Sequence, residues 1–128
     1  MKTILFSILI LFSINGFAFN WKKVFEDTKG NSYYVDVDNI KKHNGLVYYW
    51  VLIDFLEPFT NNRVGSGNSL IGKYKVNCVE EKQTWLNVTF YSQSMGRGRI
   101  IGEDTPNKIL YPKPKEVAHT VMKSACNY

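Results

Sequence analysis

The chain has 128 residues and a mass of 14.8 kDa, which is the size of one domain and excludes large multidomain enzymes and repeat arrays. Hydrophobic residues make up 45% of it, aromatic residues 15% and charged residues 21%, so it can bury an apolar core and is not disordered throughout. The 16 lysines and arginines exceed the 11 acidic residues, and the formal net charge of +5 suggests acidic partners without specifying them.

The first residues have the pattern of a secretory signal peptide. Lys2 precedes an apolar run, Ile4–Ile14, which only two serines interrupt. Gly16 and Ala18 then occupy the −3 and −1 positions of a small-residue cleavage site. We therefore predict that residues 1–18 are a signal peptide and that cleavage follows Ala18.

A retained membrane anchor is the alternative for the same segment. A bilayer-spanning helix needs about 20 apolar residues, and Asn20 and Lys22 come too early for that length. No cysteine follows the apolar run, so a lipid-modified N-terminal cysteine is not predicted. We expect a single domain over residues 19–128, no stable membrane span after cleavage, and export from the cytoplasm.

Most of the mature chain has the pattern of β-strands. Segments rich in aromatic and β-branched residues, several of them alternating with polar residues, are separated by turn residues. Both faces of Leu46–Leu56 are largely apolar, so we place this strand at the centre of an antiparallel sheet of about six strands. The predicted strands are Trp21–Asp27, Ser32–Val37, Leu46–Leu56, Ser69–Val79 and Thr84–Tyr91, with a short edge at Ile100 and Ile101.

Two loops and one helix complete the predicted elements. Glu57–Asn68 contains a proline and a Gly-Ser-Gly run, which predicts a long surface loop between strands. Gly96–Arg99 is predicted to be a flexible basic loop. After Pro114 the hydrophobic period becomes that of a helix, for which a proline is suited to the first turn. The apolar stripe of this helix consists of Val117, Ala118, Val121, Met122 and Ala125.

The two cysteines, Cys78 and Cys126, are predicted to form one disulfide. An exported protein is in an oxidising compartment, where a lone pair of cysteines is most simply a disulfide. A reactive thiol or a metal site would need further cysteine or histidine neighbours, and the chain has only His43 and His119. Cys78 has the parity of the apolar side of its strand, and Cys126 lies one turn beyond Met122 on the apolar stripe of the helix, so the bond would hold the helix against the inner side of the sheet. The expected fold class is α+β.

Sequence patterns of known catalytic and metal sites do not occur in the chain. The segment 65–69 lacks the spacing of a nucleophile elbow or a phosphate-binding loop. The acidic run that begins at Asp36 lacks the glycine and glutamate that a calcium loop needs. We predict no metal and no cofactor. A small hydrolase that uses His119 with Asp54 or Asp36 remains an alternative.

Aromatic and basic residues collect on the side of the predicted sheet that faces away from the helix. Aromatic rings beside positively charged groups can bind a protein or glycan partner, or they can be buried in the interface of a homodimer. The rings could instead be covered by the long loop or by cross-strand aromatic pairing. A nucleic-acid partner is not expected for an exported protein. With the basic loop included, the candidate binding residues are Tyr48, Trp50, Lys73, Lys75, Trp85, Tyr91, Arg97 and Arg99.

The order of sequence landmarks resembles the surface-adhesin protein E-like family of small exported bacterial proteins. Each motif is short, but together they extend over nearly all of the mature chain. The matching landmarks are Trp21, Tyr33-Tyr34-Val35-Asp36, Asp38-Asn39-Ile40, Trp50-Val51-Leu52-Ile53-Asp54-Phe55, Tyr74-Lys75-Val76-Asn77-Cys78, Tyr91-Ser92, Met95-Gly96-Arg97-Gly98, Pro112 and the terminal Cys126.

This resemblance implies a mainly antiparallel sheet with one packed C-terminal helix and a disulfide. It also implies an exported, non-enzymatic binding module that is periplasmic or secreted in bacteria and resembles an adhesin. The resemblance supplies no catalytic residues. The alternatives are a periplasmic structural or envelope-stress protein that acts through dimerisation and the small hydrolase described above.

Overall fold

The computed structural model describes residues 18–61 and 65–128, so the predicted signal peptide, apart from Ala18, lies outside the described residues. Within these ranges the chain forms eight strands and one helix. The strands are β1 (Trp21–Glu26), β2 (Ser32–Asp36), β3 (Lys41–His43), β4 (Leu46–Asn61), β5 (Gly65–Asn77), β6 (Lys82–Tyr91), β7 (Ile100–Asp104) and β8 (Lys108–Leu110). The helix α1 is Val117–Cys126, and a 3-10 turn, Ser94–Gly96, lies between β6 and β7.

All eight strands belong to one antiparallel sheet. The strand order is β1-β2-β4-β5-β6-β7, while β3 pairs with β4 and β8 pairs with β6. This arrangement confirms the predicted α+β class and the central position of β4. The strand count exceeds the predicted six because β3 and β8 have only three residues each, too few for an alternating pattern.

The core lies between α1 and the face of the sheet that α1 covers, which we call the inner face. The helix contributes three buried side chains, as its apolar stripe predicted, whereas Ala118 is exposed at the beginning of the helix. Burial of a large apolar side chain contributes about 1.5–3 kcal/mol, so this layer is the main source of stability. The buried core residues are Val35, Val47, Tyr49, Val51 and Val76 from the sheet and Val121, Met122 and Ala125 from α1.

A disulfide joins Cys78 to Cys126, as predicted. Cys78 directly follows β5 and Cys126 is the last residue of α1, and their Cα atoms are 6.0 Å apart. Both cysteines pack against the core on the inner face. The covalent bond therefore holds the end of the helix against the sheet.

The predicted long loop Glu57–Asn68 is wrong, because most of it belongs to the β4–β5 hairpin. The two strands resume their pairing after a bulge that contains Pro58, where a residue without an N–H does not interrupt the ladder. Gly67 in the Gly-Ser-Gly run is buried, and a Cβ atom there would lie 2.6 Å from the carbonyl oxygen of Tyr91. The run thus permits close packing of strands and is not a surface loop.

A bulge in β6 reverses the orientation of Trp85. Lys73 is opposite Asn87, but the next residue, Tyr74, is opposite Trp85, so Leu86 is the extra residue. Directly opposed residues point to the same side of a sheet, and Tyr74 lies on the inner face. The predicted outward orientation of Trp85 is therefore wrong, because one inserted residue exchanges the two faces of the strand.

Part of the other face of the sheet, which we call the outer face, is covered by the 3-10 turn. Leu52 is 0% exposed and Ile71 is 5% exposed although both point away from α1. A Cβ atom on Gly96 would lie 2.9 Å from the Ile71 side chain, and Gly96 has a φ of +68°. A residue without a side chain is therefore required where the turn contacts the sheet. Around Trp50 and Lys73 the outer face is partly exposed.

Candidate binding face

Two aromatic–lysine pairs form the centre of the outer face. On adjacent strands, Trp50 is opposite Lys73 and Tyr48 is opposite Lys75, so the four side chains form a compact patch. All four are half-buried. The Lys73 ammonium lies 5.3 Å from the centre of the Trp50 ring, a cation–π contact. The structure thus brings together four of the eight predicted residues.

A basic groove borders this patch on the side of β3. Its volume is about 680 Å³. Lys41 is opposite Tyr48, so a lysine from β3 continues the row that Tyr48 and Lys75 form across the sheet. The groove is lined by Asn39, Lys41, Lys42, His43, Tyr48, Trp50 and Lys73.

The β3 lysines were not among the residues predicted from the sequence. The available signal was the Asn-Gly pair that follows them, since such a pair is typical of a two-residue β-hairpin turn and requires a strand on each side. Asn44 and Gly45 have φ values of +51° and +76°, as this turn demands. A hairpin interpretation of residues 41–48 would have placed Lys41 beside Tyr48.

An acidic groove of about 470 Å³ lies on the other side of Trp50. Its acidic residues are Glu103 and Asp104 at the end of β7, both exposed. Asn87 and Thr89 from β6 form its floor. Trp50 therefore separates a basic groove from an acidic groove.

The first described residues contribute two further rings to the outer face. The Phe19 ring stacks on Trp21 with ring centres 4.6 Å apart and contacts the edge of Trp50 at 6.0 Å. The backbone N–H of Asn20 donates to the buried carboxylate of Asp36 at 3.0 Å, which holds this segment in place. One side of Trp50 is therefore covered by aromatic packing from the segment before β1.

Trp85 does not contribute to this face. Its ring stacks on Tyr74 on the inner side, with ring centres 6.1 Å apart and planes 5° apart. Leu86, the extra residue of the β6 bulge, takes the outward position and lines a third groove of about 470 Å³ together with Lys75 and Lys82. The β6 bulge thus replaces an aromatic ring by an aliphatic side chain on the outer face.

Tyr91, Arg97 and Arg99 lie in a different part of the outer face. Tyr91 is opposite Ser69, in the row of the sheet that the 3-10 turn covers. Burial, and then the charge of Glu103, raise the pKa of the Tyr91 hydroxyl. Both arginines are exposed, beyond the turn. The eight predicted residues therefore do not form one site.

The basic loop is held by its own backbone. The N–H of Ser92 donates to the carbonyl of Arg99 at 3.0 Å, and the N–H of Gln93 donates to the carbonyl of Arg97 at 3.2 Å. The hydroxyl of Ser92 in turn accepts the N–H of Arg99 at 3.0 Å. The arginines are thus presented by a defined turn.

Comparison with known families identifies the family of this chain. Residues 21–127 match the family described as surface-adhesin protein E. The chain belongs to the surface-adhesin protein E family. The match extends over almost the whole of the described chain and confirms the resemblance inferred from the order of sequence landmarks.

Solved structures of protein E from Haemophilus influenzae have the same fold. Crystal form II of that protein is 16% identical, with a TM-score of 0.63 over 88% of this chain and 91% of that chain. A second structure of it gives 16% identity and a TM-score of 0.61 over 88% and 87% of the two chains. Protein E from non-typeable Haemophilus influenzae gives 16% identity and a TM-score of 0.58 over 89% and 80%. No match was found among curated proteins.

The residues of the alternative hydrolase do not come together in this member of the surface-adhesin protein E family. His119 lies on α1, and its Nε2 contacts Glu81 at 2.9 Å. Asp54 and Asp36 belong to the outer face, where each accepts backbone N–H groups. The sheet therefore separates the expected acid–base partners.

The described part of this family member has neither a metal cluster nor a membrane-spanning helix. Groups of three or more histidine, cysteine, aspartate or glutamate residues that could hold a metal ion do not occur there. None of its helices is long and apolar enough to cross a bilayer.

Proposed function

We propose that this protein is an exported, non-enzymatic binding module of the adhesin type, and that its outer face around Trp50 and Lys73 binds an acidic protein or glycan. The observation that carries this proposal is the aromatic–lysine patch at the border of the basic groove. Membership of a family described as a surface adhesin supports an exported or surface location.

The charges of the groove favour an acidic partner. In the part of the chain that the structure describes, the ion pairs do not involve Lys41, Lys42 or Lys73. A carboxylate or sulfate group that enters the groove would therefore meet ammonium groups without breaking an existing ion pair. Such complementarity raises association rates and is weakened by salt.

The aromatic residues give the face a contact that does not depend on charge. Trp50 and Tyr48 present ring surface beside the lysines, and tryptophan and tyrosine are the residue types most enriched at the energetic centres of interfaces. A ring of this kind can stack on the apolar face of a sugar or on an apolar side chain of a protein. The proposal therefore predicts binding that salt reduces but does not abolish.

A binding assay with two immobilised probes, a sulfated heparin oligosaccharide and a poly-glutamate peptide, tests the proposal. We expect the triple variant K41Q/K42Q/K73Q to lose about tenfold or more in affinity for the better probe, since tenfold corresponds to about 1.4 kcal/mol shared among three charges. Trp50→Ala should lower affinity by a similar factor and leave the salt dependence unchanged.

Lys29→Gln is the matched control, because Lys29 is an exposed lysine in the β1–β2 turn, away from the groove. This variant should bind both probes as the wild type does. The proposal is wrong if neither probe binds, or if the triple variant and Trp50→Ala remain folded and bind like the wild type.

Self-association through the same face is distinguished by light scattering across protein concentrations. A partner-binding face predicts that Trp50→Ala leaves the molar mass of the protein unchanged. If the wild type is a dimer and Trp50→Ala is a monomer, the face serves dimerisation and the partner-binding proposal is contradicted.

A further inference from the structure

A cavity of about 260 Å³ lies on the inner face, beneath the first turn of α1. Val117 and Val121 of the helix form one wall, and Val51 and Ile53 of β4 form part of the opposite wall. Ala118 also lines the cavity and is exposed, so the opening to solvent is at the beginning of the helix. The cavity is on the opposite side of the sheet from the outer face and is independent of the proposed function.

Four polar side chains interrupt this apolar wall: Tyr33, whose hydroxyl donates to Asp27, and Tyr49, Tyr74 and Gln83. Gln83 is 4% exposed, and its Oε1 accepts the hydroxyl of Tyr49. The Nε2 of Gln83 donates to no group within residues 18–61 and 65–128, although the side chain lines the cavity. The Tyr74 hydroxyl, which also lines it, has no hydrogen bond in the same part of the chain.

Among the described residues only Trp85 Nε1 is a buried side-chain donor without a hydrogen-bond partner, so the donors of Gln83 and Tyr74 are not sealed in the interior and face the cavity. A ligand that excludes water from the cavity must offer these donors an acceptor, because a polar group buried without a partner costs about 1–3 kcal/mol. Burial raises the pKa values of Tyr49 and Tyr74, so both hydroxyls keep their protons at neutral pH. The cavity therefore offers hydrogen-bond donors to whatever occupies it.

We propose that this cavity binds a small neutral molecule with one aromatic ring and one hydrogen-bond acceptor, such as a carbonyl oxygen. A dry cavity of about 150 Å³ holds benzene, so about 260 Å³ accommodates a ring with a short substituent. The aliphatic wall and the rings of Tyr49 and Tyr74 contact the apolar part of the ligand. The acceptor atom of the ligand accepts a hydrogen bond from the side-chain N–H of Gln83.

Acetophenone and ethylbenzene are the probes, because they have nearly the same shape and only acetophenone has an acceptor. Each is titrated into the isotope-labelled protein while NMR shifts are followed at Val51, Val117 and Val121. We expect saturable shifts at these residues and an affinity for acetophenone up to tenfold higher, since one hydrogen bond contributes about 0.5–1.5 kcal/mol. Absence of saturable shifts, or equal affinities for the two probes, would overturn the proposal.

Ala118→Trp closes the opening from a surface position and should abolish binding of both probes without unfolding the protein. Lys29→Gln, at an exposed position in the β1–β2 turn, is the control and should bind acetophenone like the wild type. Gln83→Met keeps the side-chain volume and should make the two affinities equal. If Gln83→Met does not fold, Ala118→Trp alone tests the location of the binding site. Unchanged binding of the probes by Ala118→Trp would contradict the proposed location.

Discussion

Ser69 is a fully buried serine whose hydroxyl connects β5 to the 3-10 turn on the outer face. Its Oγ accepts the N–H of Gly96 at 2.9 Å and donates to the carbonyl of Gln93 at 2.6 Å. Asp54 on the neighbouring strand accepts the N–H of Met95 at 2.9 Å. Two polar side chains thus position the turn that buries part of the outer face.

Ser69→Ala tests this role at the scale of a single residue. The substitution removes two hydrogen bonds, with the Gly96 N–H and the Gln93 carbonyl, each of which contributes about 0.5–1.5 kcal/mol, so we expect a loss of about 2 kcal/mol in the free energy of unfolding. Urea denaturation measures this loss. Ser124→Ala is the control, because the Ser124 hydroxyl only donates to the carbonyl of Thr120 within α1. Equal effects of the two substitutions would contradict the role assigned to Ser69.

At the scale of elements, regular strands were predictable and irregular ones were not. Alternation in β4 and β5 placed Val47, Tyr49 and Val76 inward and Trp50 and Lys73 outward, because each strand keeps its period of two through these residues. The helix stripe followed from the same kind of pattern, and the disulfide followed from the presence of two cysteines in a chain with an export signal. The sequence therefore predicted the fold class and the centre of the candidate site.

Bulges and short strands account for most of the differences between the predicted and the observed elements. The extra residue in β6 reverses the orientation expected for the residues before it, including Trp85, and the sequence around Leu86 contains no signal of a bulge. Pro58 suggested a loop, yet a bulge accommodates it inside a hairpin. The three residues of β3 are too few for a period, so the lysines of the groove were missed. Such features depend on pairing partners that are distant in sequence.

Loss of the disulfide should weaken the attachment of α1 to the sheet. The bond closes a loop with a sequence separation of 48, for which the chain-entropy account gives about 4 kcal/mol of stabilisation. We expect Cys78→Ser/Cys126→Ser to lose about this amount in the free energy of unfolding. Wild-type protein kept in a reductant is the matched control and should behave like the double variant. A loss below about 1 kcal/mol would contradict this account.

A second attachment of α1 depends on pH. Hydrogen bonds from Lys123 and His119 on α1 hold the pKa of Glu81 below its ordinary value of 4.5. A carboxylate with a lowered pKa stabilises the fold above the ordinary value, and this contribution disappears as the pH falls through the folded value. The attachment should therefore be complete at neutral pH and absent in strong acid.

Glu81→Gln should accordingly be less stable than the wild type at pH 7 and equal to it at about pH 2, well below the ordinary pKa of glutamate. Urea denaturation at a series of pH values measures the difference. Glu80→Gln is the control, since Glu80 forms no ion pair with another described residue. A difference between Glu81→Gln and the wild type that does not change with pH would contradict the assignment.

At the scale of the whole molecule, the two faces of the sheet are used differently. The inner face is closed by α1 and holds the core and a small cavity. Among the described residues, the outer face is covered where the 3-10 turn lies on Leu52 and Ile71 and where Phe19 packs on Trp50, and it contains grooves next to Trp50. The outer face is therefore where a macromolecular partner can bind without displacing the core.

Amide shift mapping by NMR, during titration with a sulfated heparin oligosaccharide, tests the binding role of the outer face most directly. The account predicts that the largest shifts fall on β3 and on the parts of β4 and β5 that contain Trp50 and Lys73, and that added salt reduces them. Residues of α1 should shift little. Saturable shifts confined to α1 and the inner face, with β3 and Trp50 unaffected, would contradict the account.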